Sequence, residues 1–195
     1  MLSPKKSLDI LRKTNALIEG HFILSSGLHS SKYIQCAKLL SYPHLAEKIC
    51  KSLANKIRKS FKNIDLILAP AIGGIVIGYE IGRILKKETI FCERVKGKFT
   101  LRRGFTISKG SRVLIVEDVI TTGKSSMECV KLINKYKGNL IGFATLIDRS
   151  TKKKLRIKKK IICQLKINVP TFKKKELPKS LISLPITTPG SRFIK

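Results

Sequence analysis

The chain has 195 residues, 41 Lys plus Arg against 12 Asp plus Glu, a formal charge of +29 and 43% hydrophobic residues. That apolar fraction supports a packed core and excludes a disordered polycation. No apolar run reaches the roughly 18 residues that span a bilayer, and Met1 to Lys13 has no long apolar stretch of the kind a secretory signal carries. The five cysteines, Cys36, Cys50, Cys92, Cys129 and Cys163, form no CxxC pair, and His21, His29 and His44 show no metal-ligand spacing. Reduced cysteines in a cytoplasmic, single-domain protein spanning residues 1–195 are therefore expected.

So large a charge attracts polyanions. The excess, however, is mostly lysine spread along the chain, densest at Lys152 to Lys160, where seven of nine residues are basic. With no Trp and 6% aromatics, stacking platforms are scarce. A solvated basic surface is the expected reading, with no specific nucleic-acid partner and no membrane.

Residues 7–19 read as a helix, with Leu8, Leu11 and Ile18 near one face and Gly20 as its stop. Phe22 to Cys36 reads as short extended pieces about a Ser25-Ser26-Gly27 turn. Pro43 opens a second helix at its tolerated first position, with Leu45, Ile49, Leu53 and Ile57 recurring along it. A buried strand at Ile64 to Ala69 is followed by a loop at Ala71 to Gly74 and a helix at Ile75 to Leu85. Thr89 to Cys92 is a second strand, Val95 to Gly110 is aperiodic, and Arg112 to Val116 is a third strand. A turn at Thr121 to Gly123, a helix at Ser125 to Lys137 and a strand at Leu140 to Ile147 follow. Repeated strand–helix–strand units predict an α/β fold with a mostly parallel sheet covered on both faces. Ile161 to Ile167 and the proline-spaced tail are expected to supply an edge strand and a cover.

The strongest chemical signal is Val113 to Ser126, VLIVEDVITTGKSS. A buried strand ends in two acids, a hydroxyl-and-glycine turn follows, and a helix begins. Ligands of open α/β sheets lie beyond the carboxyl ends of strands, and free amides at a helix start suit a phosphate. Gly123 lets the backbone approach, while Thr121, Thr122 and Ser125 offer hydroxyls. Two acids repel phosphate, so Glu117 and Asp118 suit sugar hydroxyls or a phosphate-bound metal on the same ligand. A plain surface turn capped by Ser125 explains one residue of the set. A Walker A loop is excluded, because Asp118 stands where its first glycine is required.

An apolar strand running into Glu-Asp-Val-Ile-Thr-Thr-Gly resembles the phosphoribosyl-pyrophosphate (PRPP) motif of type I phosphoribosyltransferases. Phe91-Cys92-Glu93-Arg94-Val95-Lys96-Gly97-Lys98-Phe99 with Leu101-Arg102-Arg103-Gly104-Phe105 resembles the mobile loop of the orotate phosphoribosyltransferases. Gly20 to Gly27 with Ser30 and Tyr33 resembles their hood segment, and Leu146 to Ser150 their base-side strand end. The resemblance spans about Gly20 to Ser150. It implies a type I phosphoribosyltransferase fold with an N-terminal hood, residues 1–40 plus the C-terminal tail, on a core of about 41–165. It also implies a glycosyltransferase (pentosyltransferase) reaction in UMP synthesis: orotate plus PRPP gives orotidine 5′-monophosphate and pyrophosphate, with Mg2+.

Carried over residue by residue, the resemblance gives Glu117, Asp118, Val119, Ile120, Thr121, Thr122, Gly123, Lys124 and Ser125 to PRPP. Glu117 and Asp118 would take ribose hydroxyls and Thr121 to Ser125 the 5′-phosphate. Thr121 and Arg149 would hold orotate, and Ala71, Ile72, Gly73 and Gly74 pyrophosphate. Arg94, Lys96 and Lys98, with Arg102 and Arg103 behind them, would close on the leaving group. In the family this loop reaches the neighbouring subunit's site, which implies a homodimer. The sequence departs from one bacterial branch of the family: Ser25 replaces a PRPP-contacting lysine, Ile72-Gly73 replaces Tyr-Lys, and the loop has no histidine. Arg149 suits a planar carboxylate. The rival readings are a phosphoribosyltransferase for another base and a PRPP-sensing regulator that binds nucleic acid.

Overall fold

The computed structural model describes residues 1–24, 27–151 and 155–189; Ser25 and Ser26 of the expected turn and Lys152 to Lys154 of the basic block lie outside them. The first helix, α1 (Pro4–Lys13), starts with Pro4 in its first turn, and the Ser3 hydroxyl accepts from the Lys6 amide at 3.2 Å. It stops well short of the expected Glu19. Asn15 takes a left-handed φ of 53°, its amide donates to the Arg12 carbonyl, and the Ala16 amide donates to the Leu11 carbonyl at 2.8 Å. This paired closure satisfies the terminal carbonyls and turns the chain out of the helix. Leu17 and Ile18, which extend an apparent helical period, instead open β1 (Leu17–Ile23), which pairs antiparallel with β2 (His29–Ile34). A short α2 (Cys36–Leu40) then precedes α3 (Pro43–Ser60).

The core alternates as the sequence predicts: β3 (Leu66–Pro70), α4 (Gly73–Leu85), β4 (Glu88–Val95), a short β5 (Lys98–Thr100), β6 (Arg112–Ile120), α5 (Lys124–Lys135), β7 (Asn139–Asp148) and β8 (Ile161–Lys166). Beyond it lie β9 (Thr171–Phe172), a single 3-10 turn at Lys174–Glu176, α6 (Lys179–Ile182) and β10 (Ile186–Thr187). The large sheet has the order β5-β4-β3-β6-β7-β8, and every pairing in it is parallel except β4 with β5. Its strands are apolar on both faces, as a doubly covered parallel sheet requires. Ile67, Leu114, Val116 and Leu146 pack towards Ile49, Leu53 and Ile57 of α3 and Ile77 and Ile81 of α4. Leu66, Leu68, Val113, Ile115 and Phe143 pack towards Cys129, Leu132 and Ile133 of α5. Successive residues of β3 and β6 thus serve opposite cores, the period of two that fixes their register.

Two further stretches differ from the sequence reading. The segment from Val95, expected to be aperiodic, begins as a hairpin: Glu93, Arg94 and Val95 pair with Thr100, Phe99 and Lys98. Its turn residues, Lys96 and Gly97, have φ values of 48° and 79°, the left-handed pair that matches the twist of a two-residue hairpin. The tail does more than cover. In a second sheet, ordered β10-β1-β2-β9, β10 runs parallel to β1 and β9 antiparallel to β2, so the C-terminal segment flanks the N-terminal hairpin on both sides.

Helix α4 meets the sheet closely at its glycines. A Cβ on Gly78 would lie 2.7 Å from the Ala69 Cβ, and one on Gly82 would overlap the Thr89 hydroxyl and lie 3.0 Å from its Cβ. Gly82→Ala is expected to lower stability by about 1–3 kcal/mol through overpacking, despite alanine's better helix propensity. Thermal unfolding reads this as a fall in Tm that Thr89→Ala partly restores in the double variant; an unchanged Tm would contradict the packing.

Candidate active site

Because β3, β4, β6 and β7 run parallel, their carboxyl ends share one edge of the sheet. Ala71 to Gly74, expected as a loop but with Gly73 and Gly74 already opening α4, the hairpin at Arg94 to Lys98, the acidic pair with the turn at Thr121 to Gly123, and Arg149 are all delivered to that edge. The third strand runs farther than its apolar run predicts. Glu117 and Asp118 lie inside β6, and β7 pairs with this extension as Glu117↔Thr145, Val119↔Ile147 and Ile120↔Asp148. The two carboxyl groups therefore sit on a rigid strand rather than on a loop, and alternation sends them to opposite faces.

Glu117 is buried, and the Ser126 hydroxyl donates to its Oε1. Burial pushes its pKa up to about 7, partly opposed by the Ser126 bond. Asp118 is also raised by burial, while its Oδ1 accepts from the Val119 amide at 2.9 Å. The Asp118 carbonyl accepts from the Thr145 hydroxyl at 3.0 Å. Across the edge, a Cβ on Gly73 would come within 2.6 Å of Asp118 Oδ2, and one on Gly74 within 3.2 Å of the Val116 carbonyl. Glycine at these positions is what lets the loop after β3 lie against β6. The Ala71–Ile72 peptide is cis, the Ala71 amide donates to the Cys92 carbonyl at 2.8 Å, and the Ile72 side chain is 86% exposed.

The turn after β6 exposes Thr121, Thr122 and Lys124, while Gly123 is buried at a φ of 72° with Ile157 only 2.7 Å from where a Cβ would stand. Gly123, not Ser125, occupies the capping position of α5, so the cap residue itself offers no side chain to the first-turn amides. The Lys124 amide approaches the Thr122 hydroxyl at 3.4 Å. The first-turn amides and the macrodipole are thus presented to an anion. Arg149 follows β7 and is anchored by its own amide, which donates to the Ile120 carbonyl at 2.8 Å. Among the described residues its Nε is buried without a partner, and burial lowers the guanidinium pKa. A buried donor of this kind calls for an acceptor.

The hairpin residues Arg94, Lys96 and Lys98 are exposed. Arg94 contacts Glu128 of α5 at 2.7 Å, donates to the Gly97 carbonyl at 2.9 Å and lies 4.2 Å from the centroid of the Phe99 ring. Arg102 and Arg103 both bind Glu93, at 3.4 Å and 2.8 Å. Glu93, Glu128, Ser126 and Thr145 are the neighbours that sequence reasoning missed as partners. The scarcity of acids in so basic a chain was the available signal for the two glutamates.

A family model described as a phosphoribosyl transferase domain matches residues 40–176. The orotate phosphoribosyltransferase of Parvibaculum lavamentivorans is 45% identical over 194 residues, covering 99% of this chain and 100% of that protein. The chain belongs to the orotate phosphoribosyltransferase family. Among solved structures, orotate phosphoribosyltransferase from Aeropyrum pernix superposes with a TM-score of 0.69 at 23% identity, over 82% of this chain and 92% of that one. Adenine phosphoribosyltransferase from Rhodothermus marinus gives a TM-score of 0.61 at 19% identity, over 84% of this chain and 99% of that one. The fold alone is therefore shared by proteins named for different bases. Among the described residues, no helix is long and apolar enough to cross a membrane.

Glu117 supplies a pH test. Its carboxyl is raised from 4.5 to about 7 on folding, so between those values the folded state holds a proton that the unfolded state has lost. The contribution is full below pH 4.5 and is lost as pH rises through about 7; it amounts to on the order of 3 kcal/mol. In the ligand-free protein, Glu117→Gln is expected to flatten this part of the stability curve, read by urea unfolding at a series of pH values. An unchanged slope would contradict a buried, neutral Glu117.

Proposed function

We propose that the protein transfers the 5-phosphoribosyl group of PRPP to orotate, giving orotidine 5′-monophosphate and pyrophosphate on the route to UMP, as a cytoplasmic enzyme. The observation that carries the choice of base is Arg149: a half-buried guanidinium with an unpartnered Nε suits the planar carboxylate of orotate, and the purine bases have no such group. Thr121, exposed just after β6, would share the base. Glu117 and Asp118 take the ribose hydroxyls, the turn from Thr121 to Ser125 takes the 5′-phosphate, and Ala71 to Gly74 take the pyrophosphate.

In the reaction the bond from the anomeric carbon to pyrophosphate breaks, a bond to the base nitrogen forms, and that nitrogen loses its proton. The ribose becomes cation-like as negative charge builds on the leaving group, so catalysis is mostly positioning and electrostatic stabilisation. Arg94, Lys96 and Lys98 supply the positive charge. Among the described residues neither lysine has an ion-pair partner, whereas Arg94 is held by Glu128. Closure of the hairpin over pyrophosphate would exclude water. Among the described residues no group of three or more His, Cys, Asp or Glu could hold a metal. Magnesium would be held chiefly through PRPP itself, beside Glu117 and Asp118, where it would offset phosphate charge.

The single catalytic domain comprises a core of about 41–165 and a hood of 1–40 completed by the C-terminal tail. It works as a homodimer. Ile72, Val76 and Tyr79 form an exposed apolar stripe along α4 beside the pyrophosphate loop, a surface suited to a second subunit.

Native protein is expected to consume orotate only when PRPP and magnesium are present, followed by ultraviolet absorbance. Arg149→Ala should raise KM for orotate by about 10- to 100-fold, the cost of losing a charged hydrogen-bonding partner, and leave KM for PRPP near native. Consumption of adenine in place of orotate would overturn the reading. Unchanged orotate kinetics in Arg149→Ala would move the base contact elsewhere.

A further inference from the structure

We propose that Ser126 is a positioning residue for PRPP: its hydroxyl fixes the Glu117 carboxyl at the ribose position from the first turn of the helix that receives the 5′-phosphate. The inference rests on the proposed function for the identity of the ligand. It adds a mechanical link, in which one helix start governs both the phosphate end and the sugar end of the same molecule.

Ser126 is fully buried, on the face of α5 that packs against the sheet. Serine within a helix costs stability relative to alanine unless its hydroxyl is used. Helix capping is not its use here, because Gly123 holds the cap position. Its hydroxyl instead crosses to Glu117 Oε1, nine residues back on β6. Among the described residues it is the one hydrogen-bond donor to that carboxyl.

The surroundings of Glu117 explain why a donor matters. The side chain is 7% exposed, and the nearby titratable groups are the Asp118 carboxyl and the buried Cys129 thiol. Neither is a cation that could orient it. Without Ser126 the carboxyl would be a desolvated group free to choose among rotamers, and PRPP would meet the ordering cost on binding. The turn between the two residues is itself constrained, since Gly123 sits at a φ of 72° with Ile157 against it. Movement of the α5 start would therefore be felt at Glu117 through Ser126. Asp118 is held differently, by the Val119 amide and the Gly73 contact, so the two carboxyls are positioned by independent devices.

The experiment compares native protein, Ser126→Ala and Ser126→Cys by calorimetric titration with magnesium–PRPP, alongside steady-state kinetics and thermal unfolding. Cysteine keeps the volume near that of serine and donates only weakly, which guards against a packing artefact. Both variants are expected to weaken PRPP binding and raise its KM about tenfold, the effect of losing one hydrogen bond to a charged or ionisable group. The kcat and the KM for orotate should stay within about twofold. In a Glu117→Ala background, Ser126→Ala should add no further loss. A lower Tm with native PRPP affinity would overturn the proposal in favour of a purely structural serine, and so would an equal loss of affinity in the Glu117→Ala background. If native protein binds PRPP but does not consume orotate, while Ser126→Ala still weakens PRPP binding, the inference stands and the orotate reading falls. Native protein that binds no PRPP would overturn both.

Discussion

Everything at the active edge depends on one close approach: the loop after β3 must lie against a carboxylate carried inside β6. A side chain on Gly73 would meet Asp118 Oδ2 at 2.6 Å, so the adjacency of β3 and β6 in the sheet is also the adjacency of the Gly73-Gly74 segment and the acidic pair. Parallel pairing makes this possible, since neighbouring strands end at the same edge. The apolar faces of both strands hold the register that keeps the two loops level. Leu66 opposite Val113 and Leu68 opposite Ile115 pack into one core, and Ile67 opposite Leu114 into the other. A slip of one residue would exchange those faces and move Asp118 from the glycine loop.

Charge is used sparingly within a very basic chain. The twelve acids against 41 bases leave few carboxylates for surface pairing, and several of those present lie where a basic residue has to be held. Glu93 holds Arg102 and Arg103, and Glu128 holds Arg94. As exposed ion pairs these contribute little to stability, but they preset the direction of the hairpin. Lysines also do structural work: Lys56 on α3 donates to the carbonyls of Cys163 and Gln164 at 3.0 and 2.8 Å, tying the helix to β8.

Much of this was legible in the sequence because the core is encoded locally. Short apolar runs in β3, β6 and β7, separated by helices with apolar faces, dictate a parallel sheet, and the acid pair followed by Thr-Thr-Gly lies at the carboxyl-end edge of that sheet. What escaped the sequence depended on tertiary partners. Leu17 and Ile18 continue a helical period, yet Asn15 in a left-handed conformation ends α1, and pairing with β2 decides for strand. The expected third strand stops at Val116, where its apolar run meets two acids, yet β7 extends beside Glu117 to Ile120 and keeps them in the sheet. The Lys96-Gly97 hairpin was hidden by its charges, and β9 and β10 are too short to carry a period of their own. Ser126 reads as an ordinary helix residue until its distance in sequence from Glu117 is folded away.

The most direct measurement is a crystal structure of the protein with orotidine 5′-monophosphate bound. The account predicts ribose hydroxyls hydrogen-bonded to Glu117 and Asp118, the 5′-phosphate on the amides of Thr122 to Ser125, and the base carboxylate on Arg149 with its Nε paired. A nucleotide seated away from β6, or a base carboxylate bound by a hairpin lysine while the Arg149 Nε stays unpartnered, would contradict it.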